Sequence, residues 1–154
     1  MKLTFASASP TQHDRIESIL RTAFTPYFQK LGYELTANVY AWLQPAIEMG
    51  RVYVGLKGEE IVGVVVTNRH SNELEIEYIA ICPDYQGAGI GSWLIARIED
   101  VARRDSVQAL VLHTPEIRED LLRLYHRQGF VETRRALPAH GKDAHLRIHM
   151  RKVI

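Results

Sequence analysis

The chain has 154 residues, 46% hydrophobic and 24% charged, with a formal net charge of +1. That makeup predicts one soluble globular domain over residues 1–154 with one substantial core, and it leaves no global charge to draw the protein to nucleic acid or an anionic membrane. The single cysteine, Cys82, excludes an intramolecular disulfide framework. The opening MKLTFASASP has too short an apolar run for a signal peptide, and no segment reaches the roughly 20 apolar residues of a membrane span, so a cytoplasmic location is expected.

No repeat, low-complexity tract or linker divides the chain. KLTFASA reads as a short strand, after which Ser9, Pro10 and Thr11 supply start signals for a helix with Ile16, Ile19, Leu20, Ala23 and Phe24 at helical spacing. Pro26 should end or kink it. Thr36 or Asn38 can cap a second helix carrying Val39, Tyr40, Trp42, Leu43 and Ile47, closed by Gly50. RVYVGLK, EIVGVVVTN and LEIEYIAIC read as three strands joined by turns short enough for an antiparallel meander. Then come a glycine-rich turn, a helix from about Ile90 to Arg104, a buried strand QALVLH and a helix from about Glu116 to Gln128. GFVETRRAL and HLRIHMRKVI close the chain as strands. The expected fold is α/β of the α+β kind: a mixed, mostly antiparallel sheet of about six to seven strands flanked by about four helices, with helical crossovers favouring parallel neighbours.

The stretch ICPDYQGAGIGSWLIARIEDVARR places Gly87, Gly89 and Gly91 between an apolar strand and an amphipathic helix. A strand, a glycine turn and a helix N-terminus together aim unpaired backbone N–H groups and the positive end of a helix dipole at one place, which suits an anion. A P-loop requires Lys then Ser or Thr after its second glycine, and no lysine occurs from Cys82 to Arg104. A dinucleotide fingerprint requires G-x-G-x-x-G, but the last position falls on Ser92 or Leu94. A tight turn with no ligand is the bland alternative.

Gln86, Gly87, Ala88, Gly89, Ile90 and Gly91 match the signature Q/R-x-x-G-x-G/A. With the meander before it and LYHRQGF after it, nearly the whole chain resembles the GNAT acyltransferase family in its order of elements. The resemblance implies acetyl-coenzyme A as co-substrate, its pyrophosphate held by the amides of Gln86, Gly87, Ala88, Gly89, Ile90, Gly91 and Ser92, and its pantetheine arm by main-chain groups of Ile79, Ala80 and Ile81. It also implies acetyl transfer to a primary amine by direct attack in a ternary complex. A non-catalytic module that holds acetyl-coenzyme A as a sensor or interaction domain is the alternative from another class.

Transfer to an amine needs a neutral amine, a stabilised oxyanion and a proton for the departing thiolate. Glu75 and Glu77 stand two apart on a strand, hence on one face, with Ile79 and Ile81 expected on the same side. The resemblance places a general base at these glutamates, with Glu77 favoured over Glu75. A carboxylate near the reference pKa of about 4.3 matches an ammonium poorly, so a water or a raised pKa is expected to assist. Tyr125, four residues before Gly129-Phe130, stands where the family places a tyrosine general acid. A phenol of pKa about 10 is protonated at neutral pH and can serve a thiolate. The plain alternative is an ordinary exposed strand residue for each glutamate and, for Tyr125, an aromatic packing residue on the helix face shared with Leu121 and Leu122. Arg118 occupies the position where many members carry Asn, seven residues before the tyrosine.

Cys82 reads as a small buried hydrophobe rather than a covalent nucleophile, because no histidine is near it in sequence. The seven histidines have no pair at helical metal spacing, so no metal is expected, and His145 and His149 are placed with Arg147 and Arg151 on an exposed face of the last strand. Tyr27 and Tyr33, flanking the expected helix break, are the candidate acceptor-binding residues of an aromatic-rich early region. Expected partners are a small-molecule amine or a peptide or protein amine, with no nucleic acid and no membrane; the family also suggests a homodimer.

Overall fold

A computed structural model describes residues 1–154. Seven strands form one sheet in the order β1-β2-β3-β4-β5-β7-β6. In chain order the elements are β1 (Thr4–Ser7), α1 (His13–Lys30), α2 (Leu43–Glu48), β2 (Val52–Lys57), β3 (Glu60–His70), β4 (Glu73–Ile81), α3 (Ile90–Arg104), β5 (Ala109–Pro115), α4 (Glu119–Arg127), β6 (Val131–Ala136) and β7 (Arg147–Val153). Single 3-10 turns at Pro10–Gln12 and Pro83–Tyr85 precede α1 and the glycine loop. No helix is long and apolar enough to cross a membrane.

The helices depart from expectation at their prolines. α1 runs through Pro26 to Lys30, so one missing N–H is tolerated where the proline is exposed. α2 is only six residues long, with Pro45 in its first turn. Turn bonds from the N–H groups of Val39, Ala41 and Leu43 to the carbonyls of Thr36, Asn38 and Tyr40 replace the first half of the expected helix. A proline ring disfavours regular α-helix on its N-terminal side, and here the regular part begins only two residues before it. α4 begins three residues later than expected, at Glu119.

By contacts the chain divides into two compact units: Met1–Thr67 with Tyr78–Leu94, and Asn68–Glu77 with Ile95–Ile154. In the first, β1, β2 and β3 pair antiparallel, β2 and β3 joined by a two-residue turn beside the pair Lys57↔Glu60. Ile16, Ile19, Leu20 and Phe24 of α1 and Leu43, Ala46 and Ile47 of α2 share a core with Val52, Val54, Val64, Val66, Ala80 and Cys82. The spacing 16, 19, 20, 24 is the apolar stripe of an amphipathic helix, and its burial is the main source of stability here.

The second unit contains the parallel pair of β4 and β5, running from Glu73↔Ala109 to Glu75↔Val111. β5 and β6 both pair antiparallel with β7. Of the two helical crossovers, that through α3 gives parallel neighbours as expected; that through α4 does not, because β7 inserts between β5 and β6. Arg147, expected on an exposed face, is 7% exposed and makes a paired contact with Asp143 at 2.8 and 3.0 Å. Burial of a guanidinium is tolerated when a carboxylate meets it with two parallel bonds.

Candidate active site

The glycine loop belongs to the first unit. Gly87 and Gly89 have φ of +81° and +79°, a region that L side chains rarely adopt, and a Cβ added at either would meet nothing within 4 Å. The glycines therefore serve the turn itself and leave open space beside it. The Trp93 N–H bonds the Gly89 carbonyl at 3.0 Å, the bond that closes the first turn of α3. The N–H groups of Ile90, Gly91 and Ser92 precede that closure and are the unpaired donors of a helix start. Gly91, unlike Gly87 and Gly89, has no positive φ.

Beneath this turn lie two glycines that the sequence reading missed. Gly55 and Gly63 face each other across β2 and β3. A Cβ on Gly63 would lie 2.8 Å from Leu94 Cδ1, and one on Gly55 would lie 3.0 Å from Trp93 Cζ3. Missing side chains on the sheet thus let the first turn of α3 sit against it, which fixes where its N–H groups emerge. A glycine inside a strand is the sequence signal for such close approach.

Ile79 and Ala80 are 4% and 3% exposed, and Ile81 is half-buried. The two-residue period of β4 breaks there: Leu74 and Ile76 are buried in alternation with the half-buried Glu73 and Glu75, whereas Ile79 and Ala80 are buried consecutively. The face shared by the glutamates therefore does not continue to Ile79 and Ile81 as expected. Tyr78, also missed in the sequence, stacks on Trp42 at 5.0 Å and meets Phe24 edge-on at 5.1 Å. Tyr33 joins the edge of this aromatic group through Phe28 at 6.1 Å. Tyr27 lies inside α1 rather than at a break, its ring 5.3 Å from Lys30 Nζ. Cys82 is buried, its thiol bonds the Ile61 carbonyl at 3.3 Å, and burial pushes the thiol up against the opposing charge of Arg15.

In the second unit Glu75 is held by His70, Nε2 to Oε1 2.6 Å, and faces His113 Nε2 at 3.8 Å. Glu77 is exposed, two residues further along the strand, and its charge reaches His113. Tyr125 is 3% exposed and packs on Phe130 with ring centroids 5.5 Å apart. Burial pushes its phenol well above the ordinary range, opposed by the charge of Arg118. No protein group hydrogen-bonds its hydroxyl, yet that oxygen is not sealed from solvent. Arg118 is buried and grips Asp120 with two bonds of 3.1 Å. Burial works to raise the Asp120 carboxyl, and the Arg118 guanidinium together with the backbone N–H groups of Leu121 and Asp120 more than offset it, leaving the carboxyl below its usual range. The residue in the usual asparagine position thus pairs with the first turn of α4.

The fold is thus a mixed seven-stranded sheet in which a glycine turn feeds the N-terminus of α3. The model of the acetyltransferase (GNAT) family matches residues 13–130, and the chain belongs to that family. It is similar to an IAA acetyltransferase of Azospirillum brasilense, 31% identical over 70 residues; the match spans 46% of this chain and 46% of that relative. Among solved structures it is similar to the paiA N-acetyltransferase of Thermoplasma acidophilum in complex with coenzyme A, with a TM-score of 0.81, 14% identity and all of both chains covered. It is likewise similar to Ard1 of Thermoplasma volcanium, with a TM-score of 0.78, 22% identity and coverage of 100% of this chain and 99% of that one. The ribosomal-protein-S18-alanine N-acetyltransferase of Escherichia coli gives a TM-score of 0.77 at 20% identity, covering 99% of this chain and 94% of that one. At these identities the structural likeness concerns the fold.

Proposed function

We propose that this protein is an N-acetyltransferase of one GNAT domain that moves an acetyl group from acetyl-coenzyme A to a primary amine by direct attack in a ternary complex. The observation that carries the reading is the loop at residues 86–92: two left-handed glycines, open space beside them, and unpaired N–H groups at the start of a fifteen-residue helix. Those donors suit a pyrophosphate, since backbone amides and the helix dipole both favour an anion there. Acetyl-coenzyme A supplies the activated acetyl thioester; the chain supplies the rest.

In this reading the amides of Gln86 to Ser92 receive the pyrophosphate, those of Gln86 and Ala88 giving up their long bonds of 3.3 and 3.4 Å to the Pro83 and Tyr85 carbonyls, and the main chain of Ile79, Ala80 and Ile81 receives the pantetheine arm as an added strand. Glu77, or Glu75, accepts the proton that the acceptor ammonium must lose before its nitrogen is nucleophilic, through an intervening water. Tyr125 keeps its proton at neutral pH because burial disfavours the phenolate, so it is available to the leaving sulfur. Tyr27 and Tyr33 contribute to the acceptor's surroundings. Cys82 takes no part, since its buried thiol is hydrogen-bonded and protonated.

A thiol-release assay with acetyl-coenzyme A and a panel of small amines, amino acids and peptides tests the reading. Replacing Glu77 or Glu75 by Gln separates the two candidate bases: the base variant should lose turnover and recover part of it as pH rises and free amine accumulates. Coenzyme binding without turnover of any acceptor would instead favour a sensor module.

A further inference from the structure

The second unit carries an open pocket of about 470 Å³ on the sheet face that bears Glu75. Its polar lining comes from all four of that unit's strands: Glu73 and Glu75 of β4, His113 of β5, His149 and Arg151 of β7, and Thr133 and Arg134 of β6. The register places three of these in one row, because His113 pairs with His149 and His149 pairs with Arg134. A register shift between Glu132 and Arg134 displaces Thr133 and brings Arg134 level with His149.

The charges in this pocket are not equally satisfied. Arg151 Nε meets Glu73 at 3.1 Å, and Glu75 is bonded by His70. The imidazoles of His113 and His149 lie with centroids 5.2 Å apart and their planes tilted by 33°. Loss of water against the sheet pushes both below the ordinary histidine range, opposed by Glu75 and reinforced by Arg134. The Arg134 guanidinium has neither an ion pair nor a hydrogen bond, and the ring nitrogens of His149 beside it have none either. One end of the pocket therefore holds an unpaired guanidinium beside a neutral imidazole that can donate one N–H, and the other end holds a carboxylate.

Resting on the transferase reading, we infer that this pocket selects acceptors that carry a carboxylate: Arg134, with His149 beside it, binds that carboxylate while the amine lies toward the Glu75 end. The span sets the acceptor's length. Three strand-to-strand steps separate Glu75 from Arg134, and Glu75 pairs with Val111, two residues along β5 from His113, so the two backbones lie about 16 Å apart at the usual strand spacing and rise. Side chains leaning inward shorten the gap but do not close it, so the amine and carboxylate stand several bonds apart rather than on one carbon. A guanidinium with no protein partner is the group able to form a paired contact with such a carboxylate.

The test compares glycine, β-alanine and γ-aminobutyrate, each against its carboxamide, with the protein and with Arg134→Gln, reading kcat/KM by thiol release. The preference for carboxylate over amide should be at least about tenfold for the longest pair and collapse in the variant, as expected when a charge-assisted bond is lost. Independently, γ-aminobutyrate should shift the imidazole NMR signals of His149 and His113 without any coenzyme present, and its carboxamide should not. Such shifts with no acetylation of any acceptor would sink the transferase reading and leave the pocket standing. Efficient acetylation with no carboxylate preference, or a preference unchanged in Arg134→Gln, overturns the pocket and leaves the transferase reading intact. Neither shift nor acetylation overturns both.

Discussion

Replacing Gly89 by Ala probes the proposed coenzyme cradle at the point where backbone conformation and open space coincide. At φ +79° an alanine costs about 1–2 kcal/mol. No clash adds to this, because the new Cβ meets nothing within 4 Å. If the turn is retained, the methyl stands in the space proposed for the pyrophosphate; if it relaxes, the N–H groups no longer converge. Either way, coenzyme A affinity measured by isothermal titration calorimetry should fall about 5–30-fold, the equivalent of the same 1–2 kcal/mol. Gly141→Ala is the control: it has φ +67° with equally open surroundings, in the segment between β6 and β7. At about 2–4 °C per kcal/mol for a chain of this size, it should lower the melting temperature by about 2–8 °C and leave coenzyme affinity unchanged. If Gly89→Ala loses stability as Gly141→Ala does while binding coenzyme A as tightly as the parent, the loop is not the cradle.

Tyr125→Phe should lower turnover by about a hundredfold or more if the phenol is the general acid, with little change in coenzyme affinity. Its hydroxyl has no protein partner, so the melting temperature should hardly move. Because burial raises this phenol's pKa above its unfolded value, its contribution to stability is complete below about pH 10 and is lost as pH rises through the folded value. Denaturation midpoints should therefore fall on the alkaline side in the parent and less so in Tyr125→Phe. Asp143→Ala removes the carboxylate that meets the buried Arg147 guanidinium and should cost about 3–5 kcal/mol in denaturant unfolding, whereas an exposed pair such as Arg123 with Glu119 should give no more than about 1 kcal/mol. Gly63→Ala drives a methyl to 2.8 Å from the fully buried Leu94 and should destabilise by about 1–3 kcal/mol in the same measurement.

Local chemistry made much of this fold readable. The turn at Gly87 and Gly89 is legible because a left-handed backbone needs glycine, and the meander is legible because its strands alternate or run apolar between short turns. Features decided by distant partners were not. The exposed flank of Pro26 lets α1 continue, and the burial of Arg147 depends on Asp143, four residues earlier and outside the strand pattern. The phase change of β4 at Glu77 and Tyr78 is invisible in a sequence that alternates smoothly from Glu73 onward. The row His113, His149 and Arg134 exists only through the insertion of β7 and the register shift in β6, neither of which leaves a local signal. Gly55 and Gly63 did leave one, as glycines inside strands, and their meaning emerges only with α3 lying over them.

Direct transfer is the central claim, and mass spectrometry of a single turnover tests it. Protein mixed with acetyl-coenzyme A alone should remain unmodified, Cys82 included, and addition of a competent amine should yield acetylated amine and free coenzyme A in equal amounts. An acetyl group on the protein that then passes to the amine, or thiol release without acetylated amine, would contradict the account.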